Sequence, residues 1–219
     1  LYIADWYNPI IQHGEVDFRD PRRDHVRGRI WRVSAKGRPA SPRLKIAGAT
    51  PAELLEMLRS DRNHVRRFAK RELRDLGPAK VLPELDAWAA KLDATQEADA
   101  HALLEAAWAR EGANAFSPQL WRRLWEQPDV RIRAAALRIL SHRWKQMPEV
   151  MKVLEQAVAD ENAQVRLWAL AVLAEMRKPG AVSLALKTLD QPMDEQLDFL
   201  LEQTCREQAD VWMPAVLEG

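Results

Sequence analysis

The sequence predicts a mainly α-helical chain, an α-solenoid of about five helix pairs preceded by two short β-strands. Three observations lead there. An aspartate followed within a few positions by Val-Arg or Ile-Arg, and then by Ala, recurs with a period near 33 residues. Prolines at 51, 78, 118, 148 and 179 stand at or near the starts of the helical stretches that alternate with this signature. The opening "LYIADWYNPIIQHGEVDFRDPRRDHVRGRIWRV" shares neither feature and has strand-like pieces at its two ends.

Leu1–Trp6 alternates apolar with small or polar residues and reads as a strand, and Asn8-Pro9 then marks a turn. Residues 10–27 lack periodicity and are heavily charged. Gly28–Val33 alternates again and reads as the second strand. A connection this long between two short strands is unusual unless it is functional or an insertion. Two strands alone are marginal in water. The pair is therefore expected to be the end of a larger sheet, an incomplete β-propeller by the resemblance given below. The chain, which starts at Leu1 without Met, is expected to be a piece of a longer protein. Residues 34–50, "SAKGRPASPRLKIAGAT", have the Gly and Pro content of a linker. The expected division is strands and loop over 1–35, linker over 36–50 and helical array over 51–219.

The array begins where Thr50 can cap, Pro51 suits the first helical position and Glu53 favours the positive end of the helix dipole. Leu54, Leu55 and Leu58 make its apolar stripe. Asp61 precedes Val65-Arg66 and Ala69, Asp129 precedes Ile132-Arg133 and Ala136, and Asp160 precedes Val165-Arg166 and Ala169. The gap from 132 to 165 is one period and that from 65 to 132 is two. Degenerate copies are therefore expected near 98–99, in "QEADAHALLEAAW", and near 197–198, in "MDEQLDFLLEQTC". Each copy has a preceding helix, expected at about 51–59, 78–92, 118–126, 148–159 and 179–189, and "VWMPAVLEG" reads as the start of a sixth unit. A helix pair with an apolar face it cannot bury alone buries it by stacking on its neighbours. Asp61, Arg66, Asp129, Arg133, Asp160 and Arg166 are expected to form a structural ladder, the aspartates capping second helices and the arginines joining successive units.

This D-x(2–4)-[VI]-R-x-x-A pattern resembles HEAT repeats over about residues 50–210, especially the short bacterial kind also found in phycobilisome-lyase-like proteins. The resemblance implies a surface presented to another protein or domain and leaves function open.

Composition is that of an ordinary globular chain, 47% hydrophobic and 30% charged. The net charge is +1, but residues 1–45 carry ten Lys/Arg against five Asp/Glu. No basic tract is long enough for a nucleic-acid partner. A single cysteine, Cys205, and no CxxC or CxxCH leave zinc, iron–sulfur and covalent haem without their usual ligands, so no metal site is expected within the chain. No apolar run approaches the length of a membrane span. Six of the nine tryptophans lie in the array before residue 180 and are expected to fill gaps between helices. His64, His101 and His142 lie on expected helices and read as surface or cap residues. No nucleophile elbow, phosphate loop, zinc-protease or dinucleotide motif is present.

Chemistry concentrates in the opening loop. His13, Asp17, Asp20, Asp24 and His25 interleave with Arg22 and Arg23, and with Glu15, Arg19, Arg27 and Arg29. Carboxylates so placed can hold a hard cation such as calcium, and arginines can hold carboxylates or phosphates. The same charges can instead pair with one another and order the loop. Both readings stand, and neither assigns a catalytic residue.

"LYIADWYNPII", the histidine after it, "RDPRRDH" and "GRIWRV" resemble the closing segment of the β-propeller in planctomycete- and verrucomicrobia-type membrane-bound dehydrogenases, also described as haem-binding CxxCH proteins. That propeller is similar to glucose/sorbosone dehydrogenases, and in the family it is followed by HEAT-like repeats and a cytochrome-c-type domain. The resemblance implies a secreted or periplasmic sugar dehydrogenase. Its parent would use a quinone of the pyrroloquinoline-quinone (PQQ) kind and calcium, and would pass electrons to a c-type haem. It also implies that His13, Asp17, Asp20, Arg22, Arg23, Asp24 and His25 belong to a site or to propeller closure. The present chain would hold no cofactor and complete no reaction, its partners being the adjoining propeller and cytochrome domains. The alternative is a non-enzymatic interaction module that binds another protein along its concave face. A lyase-like or chromophore-handling protein is a third reading, and it leaves the opening segment unexplained.

Overall fold

A computed structural model describes residues 1–6, 17, 19–37 and 44–217. The chain forms two compact units, Leu1–Leu44 and Lys45–Gly219. In the first, β1 (Tyr2–Trp6) and β2 (Gly28–Arg32) pair antiparallel, with Tyr2 opposite Arg32 and Trp6 opposite Gly28. Asp5 ties the hairpin across its width. It accepts from the Trp31 indole at 3.0 Å and pairs with Arg29 at 2.8 Å, and the Arg29 guanidinium lies over the Trp31 ring. Apolar side chains on both faces stay open to water: Tyr2 is 68% exposed, Ile3 44%, Ile30 77% and Trp31 51%.

The stretch read as a linker is divided. Residues 38–43 lie outside the described residues, while Lys45–Thr50 join the helical unit. Ile46 packs on the helical core and Ala49 is buried in it, with a turn at Gly48 whose φ of +72° suits glycine.

Five helix pairs follow. They are α1 (Pro51–Met57) with α2 (Asn63–Leu76), α3 (Pro78–Ala90) with α4 (Glu97–Gly112) and α5 (Pro118–Trp125) with α6 (Val130–Arg143). The last two are α7 (Val150–Val158) with α8 (Ala163–Met176) and α9 (Pro179–Ala185) with α10 (Glu195–Glu207). Short 3-10 turns, Trp144–Gln146 and Leu186–Asp190, extend α6 and α9. Second helices begin 32–34 residues apart. They pack in one layer, α2 on α4, α4 on α6, α6 on α8 and α8 on α10. α11 (Ala209–Leu217) packs on α9 and α10, the position of a sixth first helix.

Local chemistry sets the ends. Thr50 and Glu53 form a reciprocal capping box on α1, and Ser117, Asp129, Asn162 and Asp194 cap α5, α6, α8 and α10. Pro148 does not open α7. Glu149 adopts a left-handed φ of +58° and the helix starts at Val150. The anchors of the degenerate units are Leu197, fully buried, and Ala100, just beyond the expected 98–99.

Signature arginines sit in the first turn of the second helices and grip two things at once. Arg133 donates to the carbonyls of Gln127 (3.1 Å) and Pro128 (2.9 Å), and its other nitrogen meets Asp160 of the next unit at 3.0 Å. Arg66 donates to Ser60 O at 2.7 Å and to Glu105 of the next unit at 3.0 Å. Arg166 donates to the carbonyls of Asp160 (2.8 Å) and Glu161 (2.9 Å), and to that of Pro192 in the fifth unit.

The aspartates divide their work differently from the expectation. Asp129 caps α6, but Asp160 serves the rung while Asn162 caps α8, and the N-cap position of α2 falls to Arg62, which makes no side-chain cap, so Asp61 does not cap it.

Arg166 is 1% exposed and faces carbonyls only. Its removal would leave three partly buried acceptors short of a donor. Arg166→Ala is expected to cost on the order of 3 kcal/mol and to release the fifth unit before the rest. Urea unfolding followed by circular dichroism should then become biphasic, and a single unshifted transition would contradict this role.

Candidate functional site

Two regions merit description as sites, one in each unit. In the first, His13 lies outside the described residues, as does Glu15. Asp17 accepts from the Arg19 backbone at 2.9 Å, and its carbonyl takes Arg23 Nε at 3.1 Å. Asp20 accepts from the Arg22 backbone N–H at 2.9 Å and holds the Arg22 guanidinium with both oxygens, at 2.9 and 2.7 Å. This grip lowers the Asp20 carboxyl to a pKa of about 2, chiefly through the Arg22 side chain. Asp24 accepts from the backbone of Val26 (2.9 Å) and Arg27 (3.0 Å), and these bonds hold its carboxyl below the usual range. His25 is exposed.

Each described carboxylate of this loop is therefore turned onto N–H groups within a few residues. Such a set closes tight turns. It does not present converging free oxygens of the kind calcium takes. Among the described residues no group of three His, Cys, Asp or Glu side chains is placed to hold a metal ion. Cys205 is half-buried, and burial pushes its thiol pKa up.

The second region is the face made by the second helices. Phe68 on α2 and Trp108 on α4 line one open cleft with Arg67, Arg71 and Arg74. Arg138 on α6 lies over both Trp108 and Trp168, at 5.7 and 5.5 Å from the ring centroids. Trp168 on α8 continues into an apolar groove with Leu167 and, from α10, Phe199 and Leu200. The result is a ribbon of aromatic side chains from α2, α4, α8 and α10, bridged at α6 by Arg138.

Of the six array tryptophans only Trp121 is fully buried, donating to Ala136 O at 2.6 Å and stacked on Trp125. The expectation that these tryptophans fill gaps between helices holds, since the other five pack half-buried against the core, with their outer edges left at the surface. The missed signal was in the repeat itself. "VRRFA" and "VRLWA" place Phe68 and Trp168 at one repeat position, immediately before the signature Ala, and "AAWA" places Trp108 before Ala109.

Among the described residues no helix is long and apolar enough to cross a membrane.

The Asp20 pairing predicts a titration. A carboxyl with a depressed folded pKa contributes stability in full above its ordinary value near 3.8 and loses it as the pH falls through about 2. Carboxyl carbon NMR of the chain should show the Asp20 midpoint near 2, and Arg22→Ala should return it toward the ordinary range. A midpoint near 4 in the unsubstituted chain would show that this pairing does not form in solution.

In comparison with known proteins, the HEAT repeats family profile matches residues 117–203, which span α5 to α10 as far as Gln203. No curated protein matches the chain. The matched segment carries two of the three full signatures, Ile132-Arg133 and Val165-Arg166, and the same pair-on-pair stacking extends to both sides of it. The helical unit is thus a HEAT-like α-solenoid, preceded in the chain by two short strands.

Proposed function

We propose that the chain is the scaffold region of a multidomain sugar dehydrogenase, in which the helical array holds a propeller-type oxidising domain and a haem-bearing domain in a fixed relation. Similarity to HEAT repeats supports the coarser part, a repeat-based interaction scaffold. The observation that carries the finer part is the hairpin. Its faces leave Tyr2, Ile3, Ile30 and Trp31 open to water, as strands of a larger sheet would be when seen alone. The resemblance of "LYIADWYNPII", "RDPRRDH" and "GRIWRV" to a propeller's closing segment supplies the kind of sheet. The turns built by Asp17, Asp20 and Asp24 fit a role in closing that sheet better than a role in holding substrate.

In this reading quinone, calcium and haem reside in the adjoining domains, and the protein works in a periplasmic or extracellular setting. Electron transfer demands that the two redox groups stay close, and a stack of helix pairs joined unit to unit supplies a continuous support for both domains. A non-enzymatic module that docks a separate protein on the second-helix face is the alternative, and the exposed aromatic ribbon favours it.

The test uses the full-length gene product with sugar substrates. Removing residues 45–217 is expected to leave oxidation coupled to an artificial dye intact and to abolish reduction of the covalently held haem. Haem reduction at an unchanged rate, or a product with no dye-linked sugar oxidation at all, would overturn the dehydrogenase reading.

A further inference from the structure

We infer that the cleft between α2 and α4 binds an acidic peptide segment of a protein partner, an assignment that rests on the interaction-scaffold reading and names the chemistry of what docks. α2 carries five cations, and the structure sorts them into two groups. Arg66 and Lys70 turn to Glu105, a 6% exposed carboxylate of α4, at 3.0 and 2.5 Å, so their charge is spent on holding the first two units together. Arg67, Arg71 and Arg74 face water. Their spacing of four and then three residues places all three on one side of the helix.

The neutralising groups nearby are weak or engaged. Arg74 meets only its exposed neighbour Asp75, at 3.0 Å, a surface pair that contributes little. Arg71 has no ion-pair partner among the described residues. From α4, Glu105 is committed as above and Glu111 is held by Arg143 at 3.1 Å. The cleft therefore keeps a cluster of unopposed guanidiniums, with Phe68, 40% exposed, and Trp108 as its apolar wall.

This combination selects its ligand. Guanidiniums one helical turn apart stand about 5.4 Å from each other along the axis, and alternate residues of an extended chain are about 6.6 Å apart. Carboxylates at alternate positions of an extended peptide can thus meet successive arginines, in the forked geometry that arginine and carboxylate share. A flanking apolar side chain reaches Phe68 and Trp108. Nucleic acid fits less well because the exposed arginines of this stripe are three on a single helix, few phosphate contacts for an affinity that grows with their number. Past Arg138 the same face turns to Leu167, Trp168 and Glu195.

The test measures fluorescence anisotropy of a labelled twelve-residue peptide with glutamate at alternate positions and flanking phenylalanines, titrated with the 219-residue chain. Binding is expected in low salt, at least tenfold weaker when glutamine replaces glutamate, and at least tenfold weaker for the double variant R67E/R71E. Both substitutions lie on the exposed side of α2, and circular dichroism checks that the variant keeps its helices. Phe68→Ser, which leaves the charges in place, should weaken binding by a smaller factor. Equal binding by R67E/R71E and the unsubstituted chain, no binding of the acidic peptide, or tighter binding of a labelled oligothymidylate would overturn the assignment. The preceding test reads haem reduction instead. Absence of peptide binding alongside array-dependent haem reduction would sink the cleft and spare the scaffold, and the reverse pattern would do the opposite.

Discussion

The array depends on a single side-chain device, a guanidinium in the first turn of a second helix. The short turn after a first helix donates its N–H groups to that helix's last carbonyls, and its own carbonyls are left outside both helical ladders. Arg66, Arg133 and Arg166 each donate into that turn, fixing the angle at which the second helix leaves it. The remaining nitrogens of the same groups reach the following unit, at Glu105, Asp160 and Pro192 O. Closure of one pair and attachment of the next are thus one event. The apolar stripes supply most of the burial, and the arginines add direction to it. The signature Ala before the next turn, at 69, 136 and 169, is fully buried and lets the layers approach close enough for the arginine to span them.

Much of this was legible in the sequence because the device is periodic. The Val-Arg and Ile-Arg pairs, the aspartates and the prolines placed nearly every helix, and Leu197 fell where the period put it. Legibility failed where the same physical need is met by a residue outside the pattern. In the second unit the carbonyls of Ala89 and Leu92, at the end of α3, take their donors from Arg123, which belongs to α5 of the third unit. A pattern search over second helices could not see it. Asp61 keeps the look of the signature without its cap, since the N-cap position of α2 falls one residue later, to Arg62. Glu149 shortens α7 through a left-handed residue after a proline, a conformation no helical propensity announces.

The candidate sites were legible in a different way. Charge density marked the opening loop, and its described carboxylates turn onto the loop itself, as Asp20 does on Arg22. The second-helix face was harder to read because aromatic residues in a helical repeat usually mean core. Only their shared place in the repeat, Phe68 and Trp168 just ahead of the signature Ala, distinguishes a surface ribbon from interior packing. Arg138, wedged between Trp108 and Trp168, has no sequence mark at all, since its role exists only once α4, α6 and α8 stand side by side.

The three arginine joints are not alike, and the difference bears on how the array would bend under load. Arg66 and Arg133 hold carboxylates, an attraction that falls off gently with distance, so these joints yield and recover. Arg166 holds only carbonyl oxygens, whose hydrogen bonds weaken steeply once stretched or tilted. The solenoid is therefore a spring with unequal links, compliant between its first and second and its third and fourth units, and brittle between its fourth and fifth. Force applied through the final helices would be borne rigidly up to a threshold and then released in one step.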